Sequence, residues 1–369
     1  MKIALLGDIA LFGKFSLNNT AIHAYLSELA SELKDYDYVI GNLETPLTDN
    51  VRPAGAKSAH IKASSNNITL LKFLSISHIN LANNHIFDYG LDGYLSTLAL
   101  LEKNEIGIFG VDGRQCFLEG ITGKIALSGY CCYSTHGSEY LTEGKKHGIN
   151  ILNGFDVEKD LLTNADKGYF NICSVHCGQE HVNKPNHDHI RMARKLADAV
   201  PYLFYGHHPH VLQGIEIYKD SLLAYSLGNL CFDDVYTSKS KTPLIKQSEN
   251  NRSSIILALT VEGNKIKDYY PIPLFDDGER ISINAHPEIC YRLKQYSEFL
   301  KLPLNEYVTR RSAEITKYIQ DRKKNRDLNW YLKRLNFSSV RMIINARRNA
   351  KLYNNAVTAY LNNGTQNSK

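Results

Sequence analysis

Three imidazoles fall within four residues at Gly206-His207-His208-Pro209-His210, stiffened by the proline, and packing alone does not account for such a cluster. Four other short segments end in groups of the same kind. Apolar runs beginning at Ile3, Tyr38, Ile79 and Cys173 stop at Gly7-Asp8, at Gly41-Asn42-Leu43-Glu44, at Asn83-Asn84-His85 and at His176. Asp88 follows His85 by three residues and Glu180 follows His176 by four. Alternation along an extended chain points Asn42 and Glu44 the same way, so both can face one site. Taken singly, Asp8 would pass for a turn residue and His176 for a satisfied buried histidine. Together, the five segments predict a shared site for divalent metal. Imidazole mixed with carboxylate and amide oxygen suits Zn, Mn, Fe or Co, whereas an all-oxygen set suits Mg or Ca. Two ions about 3.5–4 Å apart can clamp the attacking and leaving oxygens of an in-line displacement and bring a bound water's pKa toward about 7. A protonated histidine beside them can supply the leaving group's proton. That chemistry is hydrolysis or transfer at phosphorus, and carbonyl polarisation leaves amide hydrolysis open.

The elements that must carry these groups alternate between strand-like and helix-like patterns over residues 1–230, the mark of βαβ units. Strands buried on both faces read as continuous apolar runs, and ligands gather outside their carboxyl ends. A charged side chain placed just after such a run keeps its hydrogen bonds, which it would lose inside it. Helical spacing predicts helices over 17–33, 64–77, 91–103 and 187–200, with strands at 106–110 and 124–130. Two hairpins are predicted, 214–218 with 221–225 about Lys219-Asp220 and 253–262 with 265–274 about Gly263-Asn264. Residues 236–252 are polar and read as a mobile loop. Beyond 284 the chain reads as helices at 285–300, 305–326 and 338–362, with a frayed polar end. His181, His187 and His189 are expected at the surface or the mouth of the site.

Composition narrows the setting. The 369 residues are 43% hydrophobic and 22% charged, ordinary values for a globular chain. No apolar run reaches about 18 residues, so no membrane-spanning helix is predicted. Met1-Lys2 leads directly into the first strand without a signal-like apolar region, which gives the cytoplasm as the expected compartment. The seven cysteines form no paired Cys-x2-Cys units and read as reduced and mostly buried. Cys173, Val175 and Cys177 share one side of a strand, which predicts core packing. From residue 291 onward there are 17 Lys/Arg against 5 Asp/Glu, so a basic tail follows an acidic body. The tail's basic clusters Arg310-Arg311, Arg322-Lys323-Lys324 and Arg347-Arg348 make an anionic partner (a polymer, nucleic acid or inner-leaflet lipid) an expectation beside that of a solvated face. Tyr291, Tyr296, Tyr307, Tyr318, Trp330, Tyr331 and Tyr353 are expected to pack these helices.

In this order, Gly7-Asp8, Gly41-Asn42-Leu43-Glu44, Leu81-Ala82-Asn83-Asn84-His85 with Asp88-Tyr89-Gly90, His176-x-Gly178-x-Glu180, Gly206-to-His210 and Tyr225-Ser226-Leu227-Gly228-Asn229 resemble the bacterial capsule-synthesis CapA family, associated with poly-γ-glutamate production. The resemblance covers roughly residues 1–275. It implies the calcineurin-like metallophosphoesterase fold, a four-layer α/β/β/α sandwich with a metal site at one edge, here with a C-terminal helical extension. The implied metal ligands are Asp8, Asn42, Glu44, Asn84, His176, His208 and His210, holding one or two ions of Mn, Zn or Fe. His85 matches the acid histidine, and Asp88, Glu180 and His207 complete the catalytic set. Two positions depart from the metallophosphoesterase pattern: Ala10 stands where a histidine is usual, and Asn42 where a bridging aspartate is usual, with Glu44 available to replace that carboxylate. Relatives typically carry an N-terminal membrane anchor that this sequence does not show. The expected division is a domain over 1–280 and a basic helical extension over 281–369. The expected function is metal-dependent hydrolysis or transfer in making or processing an anionic capsular polymer such as poly-γ-glutamate, with capsule-synthesis proteins as partners, in the cytoplasm or peripherally at the inner membrane face. The alternatives are a non-catalytic metal-binding accessory subunit and a cytosolic metallophosphodiesterase acting on a phosphorylated substrate.

Overall fold

A computed structural model describes residues 1–55, 57, 59–132, 147–236, 241–324 and 337–363, with side chains omitted at 322–324, 337–339 and 341–342. Fourteen strands are described, and they form two sheets. The larger contains β1 (Lys2–Ile9), β2 (Tyr38–Leu43), β3 (His78–Asn80), β4 (Gly107–Phe109), β11 (Asn229–Cys231), β12 (Ser253–Glu262), β13 (Lys265–Asp276) and β14 (Ile281–Ile283), ordered β14-β13-β12-β1-β2-β3-β4 with β11 also against β1. The smaller contains β5 (Cys116–Gly120), β6 (Gly123–Cys131), β7 (Phe170–His176), β8 (Tyr202–His207), β9 (Ile215–Tyr218) and β10 (Ser221–Ala224), ordered β5-β6-β7-β8-β10-β9. β1 to β4 are mutually parallel, as are β6, β7, β8 and β10.

Period-two alternation decides the layers. Ile3 and Leu5 of β1 join Leu127, Ile172, Leu203 and Tyr205 in a core between the sheets. Ala4 and Leu6, on the opposite face, pack with the helices α1 (Ile22–Tyr25), α2 (Ser27–Leu33), α3 (Ile68–Phe73) and α4 (Gly90–Lys103). In the second sheet Cys173, Val175 and Phe204 turn outward to α5 (Gly154–Asp166) and α6 (His187–Ala199). The result is the expected four-layer α/β/β/α sandwich. Three further helices follow: α7 (Pro287–Phe299), α8 (Leu304–Lys324) and α9 (Phe337–Asn362). Tyr353, Val357 and Tyr360 of α9 share the core beneath α5 and α6. β14 lies in the larger sheet, so the expected division after residue 280 runs through that sheet's edge.

Both hairpins form as predicted. Other details differ. The helix expected over 17–33 is two short ones, because Leu26 between them leaves helical geometry at φ −99° and ψ 5°. The helix expected over 64–77 is confined to a 3-10 turn and α3, ending before Ser75, whose φ is +55°. β5 and α5 were not predicted. Asn153 caps α5 by accepting the Phe155 N–H, and β5 is a partly exposed edge strand of weak apolar pattern. Within 236–252, residues 237–240 lie outside the described residues. Ile245 pairs with Val235 just before this stretch and Asn251 is buried, so the described part is pinned at two points while most of its residues stay partly or fully exposed. His189 is buried against Cys177 and Tyr353, contrary to the surface position expected of it, because it falls on the inner face of α6. Tyr291 is exposed and packs no helix, while Trp330, Tyr331 and residues 364–369 lie outside the described residues. Five of the seven thiols are buried, and Cys116 and Cys290 partly so.

Gly206 shows how tightly the ligand-bearing edge is packed. A Cβ there would fall 1.9 Å from the Tyr225 carbonyl oxygen, which is backbone and has no rotamer to change. Replacing a glycine by alanine where room exists stabilises by about 0.4–1 kcal/mol through the unfolded chain. Gly206→Ala is expected to do the opposite, costing about 3 kcal/mol or more, measured as a fall in the urea unfolding midpoint.

Candidate metal centre

Strand pairing places the polar groups in two facing rows. In the larger sheet Asp8 is in register with Asn42 and Asn229, and Asn42 with Asn80. In the smaller sheet His176 is in register with His207. Asp8, Asn42, Asn80, His176 and His207 lie at or near the carboxyl ends of their strands, Asn229 opens β11, and the rows meet across the sandwich. His207 Nδ1 approaches Asp8 Oδ1 at 3.0 Å, without hydrogen-bond alignment. Asn42 donates to Asp8 Oδ1 at 2.9 Å and to His176 Nδ1 at 3.3 Å. With that nitrogen accepting, the His176 proton sits on Nε2, which donates to Asn84 Oδ1 at 2.8 Å.

The histidine turn folds over this pair of rows in an unusual backbone conformation. His208 and His210 have φ of +90° and +56°, values that non-glycine residues seldom adopt. The His208 N–H donates to Asp8 Oδ2 at 3.1 Å. His210 Nδ1 is 2.9 Å from Asn229 Oδ1 and 3.5 Å from Asp8 Oδ2, and its ring packs on Phe232. Glu44, just past β2, lies beneath: its Oε1 is 3.6 Å from His176 Nε2 and 3.8 Å from His210 Nε2.

Glu44 is the revealing group. It is fully buried, yet among the described residues neither carboxylate oxygen has a hydrogen-bond partner, and His208 Nδ1 also has none. Burial, and next the neighbouring Asp8 charge, hold the Glu44 carboxyl well above the usual range. Asp8 behaves oppositely: burial alone would raise it, but the His207, His210 and His176 imidazoles draw it down. Burial pushes His208 down to about 4 against the pull of Glu180. The ligand atoms of Glu44, His176 and His208 lie within 4.8 Å of one another, as do those of Asp8, Glu44 and His210. Among the described residues these are the two groups of that kind, and Glu44 belongs to both. Buried polar atoms are ordinarily paired, and the donor set of imidazole and carboxylate suits a transition metal or zinc. The residues therefore fit a divalent ion.

A second cluster adjoins the first. His85 donates through Nδ1 to Asp88 Oδ2 at 2.7 Å, and Asp88 also accepts the Ile61 N–H at 2.8 Å. Lys57 forms an ion pair with Asp88 and reaches the Asn84 carbonyl. Burial would raise Asp88, but His85 and Lys57 outweigh it and hold the carboxyl at about 2. Burial lowers His85, with Asp88 opposing. Glu180 stands partly exposed and close enough to raise Glu44 and His208.

All eleven residues singled out in the sequence therefore gather at one edge of the sandwich, in different positions. Asp8, Glu44, His176, His208 and His210 converge. Asn42 turns its amide to Asp8 and His176 and its oxygen to the Asn80 amide at 3.1 Å, which makes it an orienting group in this arrangement. His207 is buried below the cluster. Sequence reading missed Lys57, Asn80 and Asn251. Asn80 stood inside a quoted apolar run, where a buried amide was itself the signal. Lys57 and Asn251 lie in irregular segments whose pattern carries none.

The description "Bacterial capsule synthesis protein PGA_cap" belongs to the family model that matches residues 2–234. The chain is 32% identical over 223 residues to the PGA biosynthesis protein CapA of Bacillus subtilis, covering 57% of each. It is 26% identical over 273 residues to the capsule biosynthesis protein CapA of Bacillus anthracis, covering 70% of this chain and 66% of that one. The chain thus spans less than two thirds of the length of either relative. A similar solved structure is the calcineurin-like phosphoesterase YfkN from Bacillus subtilis, at 13% identity and TM-score 0.44, covering 82% of this chain and 99% of that one.

Two outcomes follow from the charges. Glu44→Gln puts a permanently neutral side chain where burial and the Asp8 charge disfavour the ionised carboxyl, so without metal its melting temperature should equal or exceed the wild type's. The same variant should lose the melting shift that Mn²⁺ or Zn²⁺ gives the wild type, both read by differential scanning fluorimetry. Asp88 has a folded pKa below its ordinary 3.8, so its contribution is present above about pH 4 and lost as pH falls toward 2. That contribution is on the order of 2 kcal/mol. Asp88→Asn should flatten this acid limb of the stability–pH curve of chelator-treated protein.

Proposed function

Because the chain belongs to the bacterial capsule synthesis protein family, we propose that it is a metal-dependent hydrolase or transferase that acts in making or trimming an anionic capsular polymer such as poly-γ-glutamate. The observation that carries this reading is Glu44, a buried carboxylate without a hydrogen bond between Asp8 and three imidazoles. Asp8, Glu44, His176, His208 and His210, with Asn84 at their edge, would hold one or two ions of Mn, Zn or Fe. Such ions supply Lewis acidity and a water of lowered pKa.

The chain's own groups do the rest. Asn42 keeps Asp8 and His176 oriented, as outer partners of ligands commonly do. His85 is fixed through Nδ1 by Asp88, which leaves its other ring nitrogen to hand a proton to a departing oxygen or nitrogen. Asp88 supports the imidazolium that forms during exchange of that proton, and Lys57 keeps Asp88 ionised. Glu180, at the mouth, and His207, against Asp8, adjust the field around the reacting groups. Arg347, Arg348 and Lys351 are exposed on α9, which has no acidic residue, so this helix is the part we assign to an anionic partner. Arg311, by contrast, turns inward. Among the described residues no helix is long and apolar enough to cross a membrane. The reading places the protein in the cytoplasm, with α9 available to the inner membrane face.

One observation favours a second reading. Asn42 donates hydrogen bonds where the metallophosphoesterase pattern has a bridging carboxylate, and buried Ala10 offers no imidazole. A site so altered fits an accessory subunit that binds metal and polymer without turnover. A Mycobacterium tuberculosis protein named "Probable polyglutamine synthesis accessory protein" is 24% identical over 212 residues, covering 53% of this chain and 56% of that one.

Purified protein with Mn²⁺ or Zn²⁺, offered γ-glutamyl oligomers and phosphodiesters, separates the two. The enzymatic reading expects turnover that His208→Ala abolishes in a folded protein. His85→Gln should lower kcat by about 10²–10⁴-fold. Metal bound with no turnover on either class would leave the accessory reading.

A further inference from the structure

Helix α8 lies outside the matched residues 2–234, yet it runs along the segment that leaves His176. Its contacts fall on one face, at positions 307, 311, 314 and 318, a spacing of four, three and four. Tyr307 Oη donates to the Pro185 carbonyl at 2.7 Å. Arg311 Nε donates to the Lys184 carbonyl at 3.0 Å, and its guanidinium also bonds the Asn186 side chain. Glu314 accepts the Asn183 N–H at 2.9 Å and pairs with Lys184. Tyr318 lies with its ring 5.6 Å from that of His181. Helix and loop run antiparallel, one contact per turn.

The loop in turn holds the histidine turn of the metal centre. The His181 N–H donates to the Pro209 carbonyl at 2.8 Å, and Pro209 sits between His208 and His210. Gln213 donates to the Val182 carbonyl and Asn183 to the Leu212 carbonyl, both at 2.7 Å. Asn251 bonds His181 Nδ1 at 2.8 Å and the His210 carbonyl at 2.9 Å. His181, His208 and His210 all have φ between +56° and +90°. Strained torsions persist only where surrounding contacts over-determine them. Here one set of such contacts, from Pro209 through His181 and Asn183, leads back to α8.

We propose that α8 is a clasp whose Arg311–Glu314 face fixes the 181–186 loop and, through it, the left-handed turn that presents His208 and His210. Arg311 and Glu314 are thus positioning residues for the metal centre, supplied by a segment beyond the matched part of the chain. This rests on the metal reading for its consequence but not for its geometry.

The test uses full-length Glu314→Ala and Arg311→Ala, with Glu314→Gln as the conservative variant and exposed Lys317→Ala as the control. Amide hydrogen exchange on metal-free protein should show the amides of His181, Asn183 and His208 exchanging faster in both alanine variants. The amides within β8 should keep wild-type protection. Titration with Co²⁺, followed by its visible absorption, should show affinity weakened about 10-fold or more and an altered spectrum. Glu314→Gln, which still accepts the Asn183 N–H, should recover most of both. Wild-type exchange at His208 in both alanine variants would overturn the clasp, as would an unchanged cobalt spectrum in a variant whose loop has loosened. Absence of cobalt binding in the wild type would end the metal reading, and the exchange results would still decide the clasp.

Discussion

A carboxylate that no described residue hydrogen-bonds, shut away from water beside a second carboxylate, is the constraint around which this molecule is arranged. Removing an ion from water costs several kcal/mol even after relaxation, and Glu44 has no donor to offset that. Its neighbours do not relieve it: Asp8 is drawn to the charged state by three imidazoles and so repels it. Without a cation, burial and the Asp8 charge both favour the protonated form of Glu44. Both groups of convergent ligand atoms include Glu44, so one positive charge placed there would answer both the desolvation and the repulsion.

The sandwich is what keeps these groups from drifting apart. Neither sheet alone could make the site, since Asp8, Asn42 and Glu44 come from the first and His176 and His207 from the second. The core of Ile3, Leu5, Leu127, Ile172, Leu203 and Tyr205 fixes the separation of the sheets. A bed of amides then sets the finer geometry, with Asn80 orienting Asn42 and Asn42 orienting Asp8 and His176. Each amide has a definite donor and acceptor end, so the chain of bonds has a direction and leaves little rotational freedom.

How much of this could be read from the residues depended on whether a signal was periodic or tertiary. β1, β2, β7 and β8 announced themselves as apolar runs ending in a ligand, because burial on both faces dictates that pattern. The hairpin about Gly263-Asn264 was equally plain. The orphaned state of Glu44 was not, since it depends on what fails to approach from elsewhere in the chain. Leu26 fits a helical pattern yet breaks the helix, as tertiary packing overrides a weak local preference. His189 looked like a surface residue because it stands at a helix start after Pro185-Asn186, while the inner face of α6 buries it. The role of Asn251 was hidden in a stretch whose composition says only that it is polar.

The torsions of His208 and His210 bear on how this site can change over generations. Left-handed backbone at a non-glycine position favours asparagine, aspartate, histidine or glycine, and penalises branching at Cβ. Most single-step replacements at these two codons would therefore be disfavoured twice, once for the lost imidazole and once for the backbone. Those that remain open, asparagine and aspartate, keep an oxygen donor, so the turn can exchange one metal-binding group for another more readily than it can become an ordinary apolar bend.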